Sequence, residues 1–198
     1  MKKRQLEIAL QGLKPLASRS PKLEQYMTPA DIAADVLWEA FGRGDIAGKR
    51  VADLGCGNGV FAIGAKLLGA EAVLGIDIDP EAVRVAKDNA AKEGVDIDLK
   101  TVDVAALAGV FDTVLQNPPF GAQTRHADRA FIKKALELAP VAYSLHMDGT
   151  QEFIGTMVGA LGGALEPVKR YKFEIPYAFD FHRKAKETVS VVLLRFKR

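Results

Sequence analysis

Val51-Ala52-Asp53-Leu54-Gly55-Cys56-Gly57-Asn58-Gly59-Val60 is the stretch on which the fold turns. A short apolar run ends in glycines at alternate positions, and a helix-forming run from Val60 to Leu68 follows. This is how a first strand passes into a first helix through a turn whose backbone can approach a ligand closely. The dinucleotide fingerprint spaces its glycines G-x-G-x-x-G, whereas here the third comes one residue early. Asp53, just ahead of the glycines, would repel a pyrophosphate.

Outward from this loop the chain alternates short apolar runs with helical stretches. Strands are predicted at Val51 to Leu54, Ala72 to Ile76, Ile97 to Val102, Phe111 to Leu115 and Val141 to His146. Helices are expected over Val60 to Leu68, Pro80 to Lys92, Asp128 to Leu138 and Thr150 to Leu161. Two last strands, near Val168 to Ile175 and Thr188 to Phe196, have no helix between them. The pattern implies an α/β, Rossmann-like, doubly wound, mostly parallel seven-stranded sheet with an antiparallel C-terminal strand. Leu6, Leu10 and Leu13 mark a helix within Met1 to Lys14. Pro15 to Pro21 breaks it. Thr28 then reads as a capping hydroxyl before Pro29 and Asp31, starting a helix that carries Ile32, Val36, Leu37 and Phe41. We expect one domain over 1–198, with residues 1–45 as a helical extension and 46–198 as the core.

Three acids stand at predicted strand ends. Asp53 suits a ligand with a cationic end, such as the amino-acid moiety of S-adenosylmethionine (SAM), with Gly55, Gly57, Asn58 and Gly59 as the cradle. Asp77, followed by Ile78, can accept hydrogen bonds from both ribose hydroxyls. Asp103, followed by Val104, can take the amino group of the cofactor's adenine. A turn at Asp103 and helix capping by Asp79 before Pro80 are the plainer alternatives.

Gln116-Asn117-Pro118-Pro119-Phe120-Gly121 closes the fourth predicted strand, beside the crevice. An aromatic amino nitrogen is a poor nucleophile because its lone pair is delocalised into the ring. The Asn117 side-chain carbonyl and the Pro118 backbone carbonyl can accept its two hydrogens, freeing the lone pair to attack a sulfonium methyl. Pro118 and Pro119 hold those carbonyls rigid, and such preorganisation lowers the barrier. Phe120 offers a face on which an unpaired base can stack. The chemistry needs no metal.

Bulk properties narrow the setting. A chain of 198 residues with 48% hydrophobic and 26% charged residues matches a globular domain. No signal-peptide pattern and no apolar run of membrane-spanning length is seen. Cys56 is the single cysteine, which excludes an internal disulfide or a cysteine-based zinc site and fits a cytosolic, reducing setting. The net charge of +2 is too mild to announce a nucleic-acid binder. Local clusters say more. Lys2, Lys3, Arg4, Lys14, Arg19 and Lys22 crowd the start, and His182, Arg183 and Lys184 interleave with Tyr171, Phe173, Tyr177, Phe179 and Phe181 near the end. That mix suits single-stranded RNA, with the His182 group as phosphate contacts. His146 reads as a packed structural residue, and His126 lies in the loop after the Asn117 motif.

With these residues in hand, the chain resembles class I SAM-dependent methyltransferases that carry an Asn-Pro-Pro-Phe motif. More narrowly, it is similar to the small-subunit ribosomal RNA adenine-N6 methyltransferases, the methyltransferase-like protein five family, in an archaeal-type form. The resemblance runs through Leu23-Glu24-Gln25-Tyr26 with Thr28, Ala52 to Gly59, Ile76 to Asp79, Asn117 to Gly121, Tyr143-Ser144-Leu145-His146, and Phe181-His182. It implies methylation of an adenine N6 in 16S-type rRNA, and Gln25, Tyr26 and Thr28 folding over the cofactor. It also implies a small zinc-binding activator protein at the sheet edge Ile97 to Val102, an edge that Ile97 and Leu99 would otherwise leave as a liability. The chain departs from the eukaryotic pattern at Met27, where a proline is expected, and over Gln123 to Ala127.

Other readings stay open on residues alone. A glutamine side-chain amide in a release factor is equally conjugated and could be methylated by the same carbonyls. DNA adenine is disfavoured by the lack of a target-recognition domain. A non-catalytic SAM-binding ribosome-assembly factor is a third, and an NAD-dependent dehydrogenase a fourth, disfavoured by Asp53 and the glycine spacing.

Overall fold

The computed structural model describes residues 1–16, 27–120, 128–176 and 186–198. Its centre is β1 (Arg50–Leu54), where Val51 to Leu54 are all buried. Such an unbroken apolar run belongs to a strand covered on both faces. Around it lie β2 (Ala72–Asp77), β3 (Asp98–Thr101), β4 (Thr113–Gln116), β5 (Val141–Met147), β6 (Ala164–Pro176) and β7 (Lys186–Lys197). They form one seven-stranded sheet in the order β3-β2-β1-β4-β5-β7-β6. The first five strands pair in parallel, and β7 runs antiparallel to both β5 and β6. The order reverses beside β1, so the crevice at the carboxyl ends of β1 and β4 is the place for a ligand.

Helices cover both faces. On one side pack α1 (Lys3–Gln11), α2 (Ala30–Gly42), α3 (Val60–Leu67) and α4 (Pro80–Lys92), through Leu6, Leu10, Val36, Leu37, Ile63 and Val83. On the other side α5 (Asp128–Leu138) and α6 (Gln151–Ala160) bury Ile132, Leu136, Ile154 and Val158 against Val114, Ala142 and Phe196. The leucines of α1 therefore share the core of the sheet rather than lying outside it.

Polar anchors fix the N-terminal helices further. Asp35 of α2 is met by Lys3 of α1 and by Lys169 and Tyr171 of β6. After α2, Asp45 receives hydrogen bonds from the Tyr143 hydroxyl at 2.6 Å and from Arg195 Nη2 at 2.9 Å. Arg195 is 6% exposed, and its charge is met by that carboxylate and, at 3.7 Å, by Glu166.

Several boundaries differ from the sequence expectation. The first helix is shorter and ends at Gln11. β3 spans only Asp98–Thr101, so Asp103 lies past the strand rather than at its end. β4 starts at Thr113, and the Phe111 amide before it bonds instead to the Leu138 carbonyl at the end of α5. The last helix is preceded by a short 3-10 turn, Asp148–Thr150. The final strands are longer than expected, and the register of β6 slips between Pro167 and Lys169, beside a proline that has no N–H to give to the ladder. Thr28 is not a cap: Pro29 holds that position and no side chain bonds to the first turn of α2. The Thr28 hydroxyl has another partner.

Candidate active site

The glycine loop leaves β1 in left-handed backbone. Gly55 has φ +71° and Gly59, at the start of α3, has φ +87°. A Cβ at Gly55 would come within 3.2 Å of the Phe131 ring, and one at Gly59 within 3.2 Å of Ala86 and Ile63. The space and the torsion both require glycine here.

Two carboxylates shape this loop from inside. Asp53 is 1% exposed and accepts a hydrogen bond from the Ala62 amide at 2.9 Å. Burial pushes its pKa up to about 7. Asp77 accepts from the Gly57 amide at 2.9 Å and the Asp79 amide at 3.0 Å, and burial raises its pKa also. No cation pairs with Asp53 or Asp77 among the described residues, so the pocket is electronegative and suits a ligand carrying positive charge. Next to Asp77, Ile78 is 54% exposed, an apolar surface standing open at the mouth of the crevice. Asp79 caps α4 through the Glu81 amide, as the plainer sequence reading had it.

Other expected cofactor residues have work inside the protein. Asp103 is exposed, and its carboxylate accepts from the Ala105 amide at 2.8 Å, capping a 3-10 turn that begins at Val104. Asn58 is 4% exposed, and its amide donates to the Lys14 carbonyl at 3.2 Å. Asn89 brackets the same residue: its oxygen accepts from the Lys14 amide at 2.8 Å, and its nitrogen donates to the Lys14 and Asn58 carbonyls. The N-terminal segment is thus tied to the glycine loop. Sequence reasoning missed Asn89, and only a polar residue among the buried positions of α4 hinted at it.

At the tip of β4 lies the Asn117 motif. Asn117 Nδ2 donates to the Thr28 hydroxyl at 3.0 Å, which turns the amide so that Oδ1 points away. That oxygen is buried and has no hydrogen-bond partner among the described residues. A buried acceptor left empty costs about 1–3 kcal/mol, so it marks a place for a donor. Pro118 is buried and Pro119 half-buried. Phe120 is half-buried and packs against the α1–α4 core, so its ring is less open than a free stacking platform. Gln25, Tyr26, His126, His182, Arg183 and Lys184 lie outside the described residues.

An electronegative glycine cradle beside an empty amide acceptor fits transfer of a cationic methyl group to a nitrogen, and the comparisons agree. The model of the methyltransferase small domain matches residues 27–147. The chain belongs to this family. Over its whole length it is also similar to the rRNA N(6)-adenosine-methyltransferase METTL5 of Danio rerio, 35% identical over 99% of each chain. The corresponding Drosophila melanogaster protein is 36% identical over 100% of this chain and 97% of its own. Among solved structures, PH1948 of Pyrococcus horikoshii is 40% identical, with a TM-score of 0.92 over 100% of this chain and 98% of that one. The resemblance read from the motifs therefore holds, and so does the fold. The chain is a methyltransferase, and SAM is its cofactor.

Proposed function

We propose that this protein methylates the N6 amino group of an adenine in small-subunit ribosomal RNA. Adenine-N6 methylation of rRNA is the activity named for its full-length relatives. The observation that carries the site assignment is Asn117: its nitrogen is taken by Thr28 and its buried oxygen is empty. An amino group entering there donates one hydrogen to Oδ1 and the other to the Pro118 carbonyl, and its lone pair turns toward the methyl. SAM supplies an electrophilic methyl on a positively charged sulfur. Asp53 and the Gly55–Gly59 loop hold its amino-acid end, Asp77 its ribose, and Ile78, Asp103 and Val104 its adenine, with Gln25, Tyr26 and Thr28 closing over it. Pro119 stiffens the turn, Phe120 packs against the incoming base, and His182, Arg183 and Lys184 contact phosphates.

The partner is a small zinc-binding activator at the β3 edge. β3 is the outermost strand on its side, which supports a docking role. The liability there is its open backbone and not its apolar side chains: Leu99 is 7% exposed, tucked against Gly75 and Cys56, and Ile97 precedes the strand and is half-buried.

The test is transfer of labelled methyl from SAM to small ribosomal subunits and to naked rRNA, with nucleoside analysis of the product. Wild type and Asn117→Ala are run with and without a candidate activator. N6-methyladenosine that is lost in the variant is the expected result. Label appearing in a release factor instead would replace RNA by a glutamine amide as substrate. An activator that neither co-elutes with the chain nor raises its rate would remove the β3 assignment.

A further inference from the structure

Tyr143-Ser144-Leu145-His146 was singled out by resemblance and has no part in the chemistry above. Along β5 its side chains alternate. Tyr143 and Leu145 face the α1–α4 core, while Ser144 and His146 face α5. Ser144 sits in register with Gln116, the last residue of β4, whose other neighbour in register is Leu54, at the root of the glycine loop.

These residues form a chain. His146 is 2% exposed, and burial pushes its pKa down to about 3, so it stays neutral. Its Nδ1 lies 4.0 Å from the Asp128 carboxylate, too far for a hydrogen bond. Its Nε2 shares a hydrogen bond of 2.6 Å with the Ser144 hydroxyl. The Ser144 oxygen in turn accepts from Gln116 Nε2 at 2.9 Å. Gln116 thus has Nε2 toward Ser144 and Oε1 turned away. Gln116 is 1% exposed, and Oε1 has no partner. Among the described residues two buried side-chain oxygens are left empty, and they belong to the adjacent residues Gln116 and Asn117.

We propose that Gln116 Oε1 is a second ligand acceptor at the tip of β4, taking an N–H donor from a bound ligand, with Ser144, His146 and Asp128 as the residues that orient it. A chain that held Gln116 only for packing would not need to fix which end of the amide is free, and an apolar side chain would fill the space without an orphan. The donor chemistry is an ammonium, as at the amino-acid end of SAM, because both hydrogens of the acceptor amine are taken by Asn117 Oδ1 and the Pro118 carbonyl. The proposal rests on the reading of Asn117 and Pro118 only for the two hydrogens of the acceptor amine.

The test uses Gln116→Met, which keeps the length and loses the amide, and Ser144→Ala, which leaves Gln116 intact but frees it to rotate. Each is compared with wild type and Asn117→Ala for thermal midpoint, Kd for SAM, and single-turnover rate on RNA. Loss of one hydrogen bond to a ligand weakens its step by about tenfold. A tenfold weaker Kd for SAM in Gln116→Met identifies the donor as the cofactor's ammonium. An unchanged Kd for SAM in Gln116→Met overturns the proposal. Ser144→Ala is expected to move the same quantity in the same direction by a smaller factor, with its midpoint close to wild type. Wild-type Kd and rate in both variants overturn the proposal. If Gln116→Met does not fold, wild-type behaviour of Ser144→Ala alone overturns it. Full activity in Asn117→Ala would instead sink the assignment of Asn117 and leave Gln116 to its own result.

Discussion

Asn117 was legible in the sequence because its motif is compact and its chemistry local. What aims it was not legible. Thr28 lies 89 positions away, and no periodicity relates the two. A hydroxyl before a proline looks like a cap, but a side chain can be committed only once, and tertiary packing decided where. Thr28→Val should leave the Asn117 amide free to turn. The expected outcome is a fall in kcat of about tenfold, read by steady-state kinetics at saturating SAM. Asp53 offers a test in pH. Its folded pKa, near 7, lies above the ordinary value of 3.8, so the folded state holds the proton more tightly. Its contribution to stability is fully present below the unfolded pKa and is lost as pH rises through the folded one. Unfolding of the free protein should therefore become easier between about pH 4 and about pH 7, more so than in Asp53→Asn. A cationic ligand needs the ionised form, so the Kd for SAM should tighten from about pH 6 to about pH 8, and Asp53→Asn should flatten that profile.

Among elements, strands and helices were found where apolar periodicity is strong, and their ends were missed where a backbone amide bonds outside the strand, as at Phe111. Contacts between elements were not visible in the sequence. Gly64 reads as an ordinary residue of α3, yet a Cβ there would collide with Leu37 of α2. The close approach of α2 and α3 depends on the missing side chain. Gly64→Ala should cost about 1–3 kcal/mol by urea unfolding and should slow methyl transfer as well, because α2 is displaced. The buried Arg195 was likewise hidden inside an apolar strand pattern. Asp45→Ala leaves that guanidinium only the more distant, exposed Glu166 and should lower unfolding free energy by about 2–3 kcal/mol.

For the whole molecule, seven strands in the order 3-2-1-4-5-7-6 could be inferred as a class from alternating strand and helix patterns. The role of the first sixteen residues could not. They looked like an appendage, but Leu6 is fully buried in the same core as β1 and α3. Leu6→Ala should cost about 2–5 kcal/mol in global stability, measured as a single cooperative transition rather than as local fraying of α1. The helical extension is thus energetically part of the sheet it leans on.

The Lys14 backbone is grasped by Asn89, 75 positions further along the chain. During synthesis the N-terminal segment leaves the ribosome first, yet its seat does not exist until β1, α3 and α4 have been made. Contacts of such long separation form late, because chain closure must precede them. The segment that is born first is therefore seated last, and the glycine loop acquires its finished shape only when the nascent chain has outgrown α4.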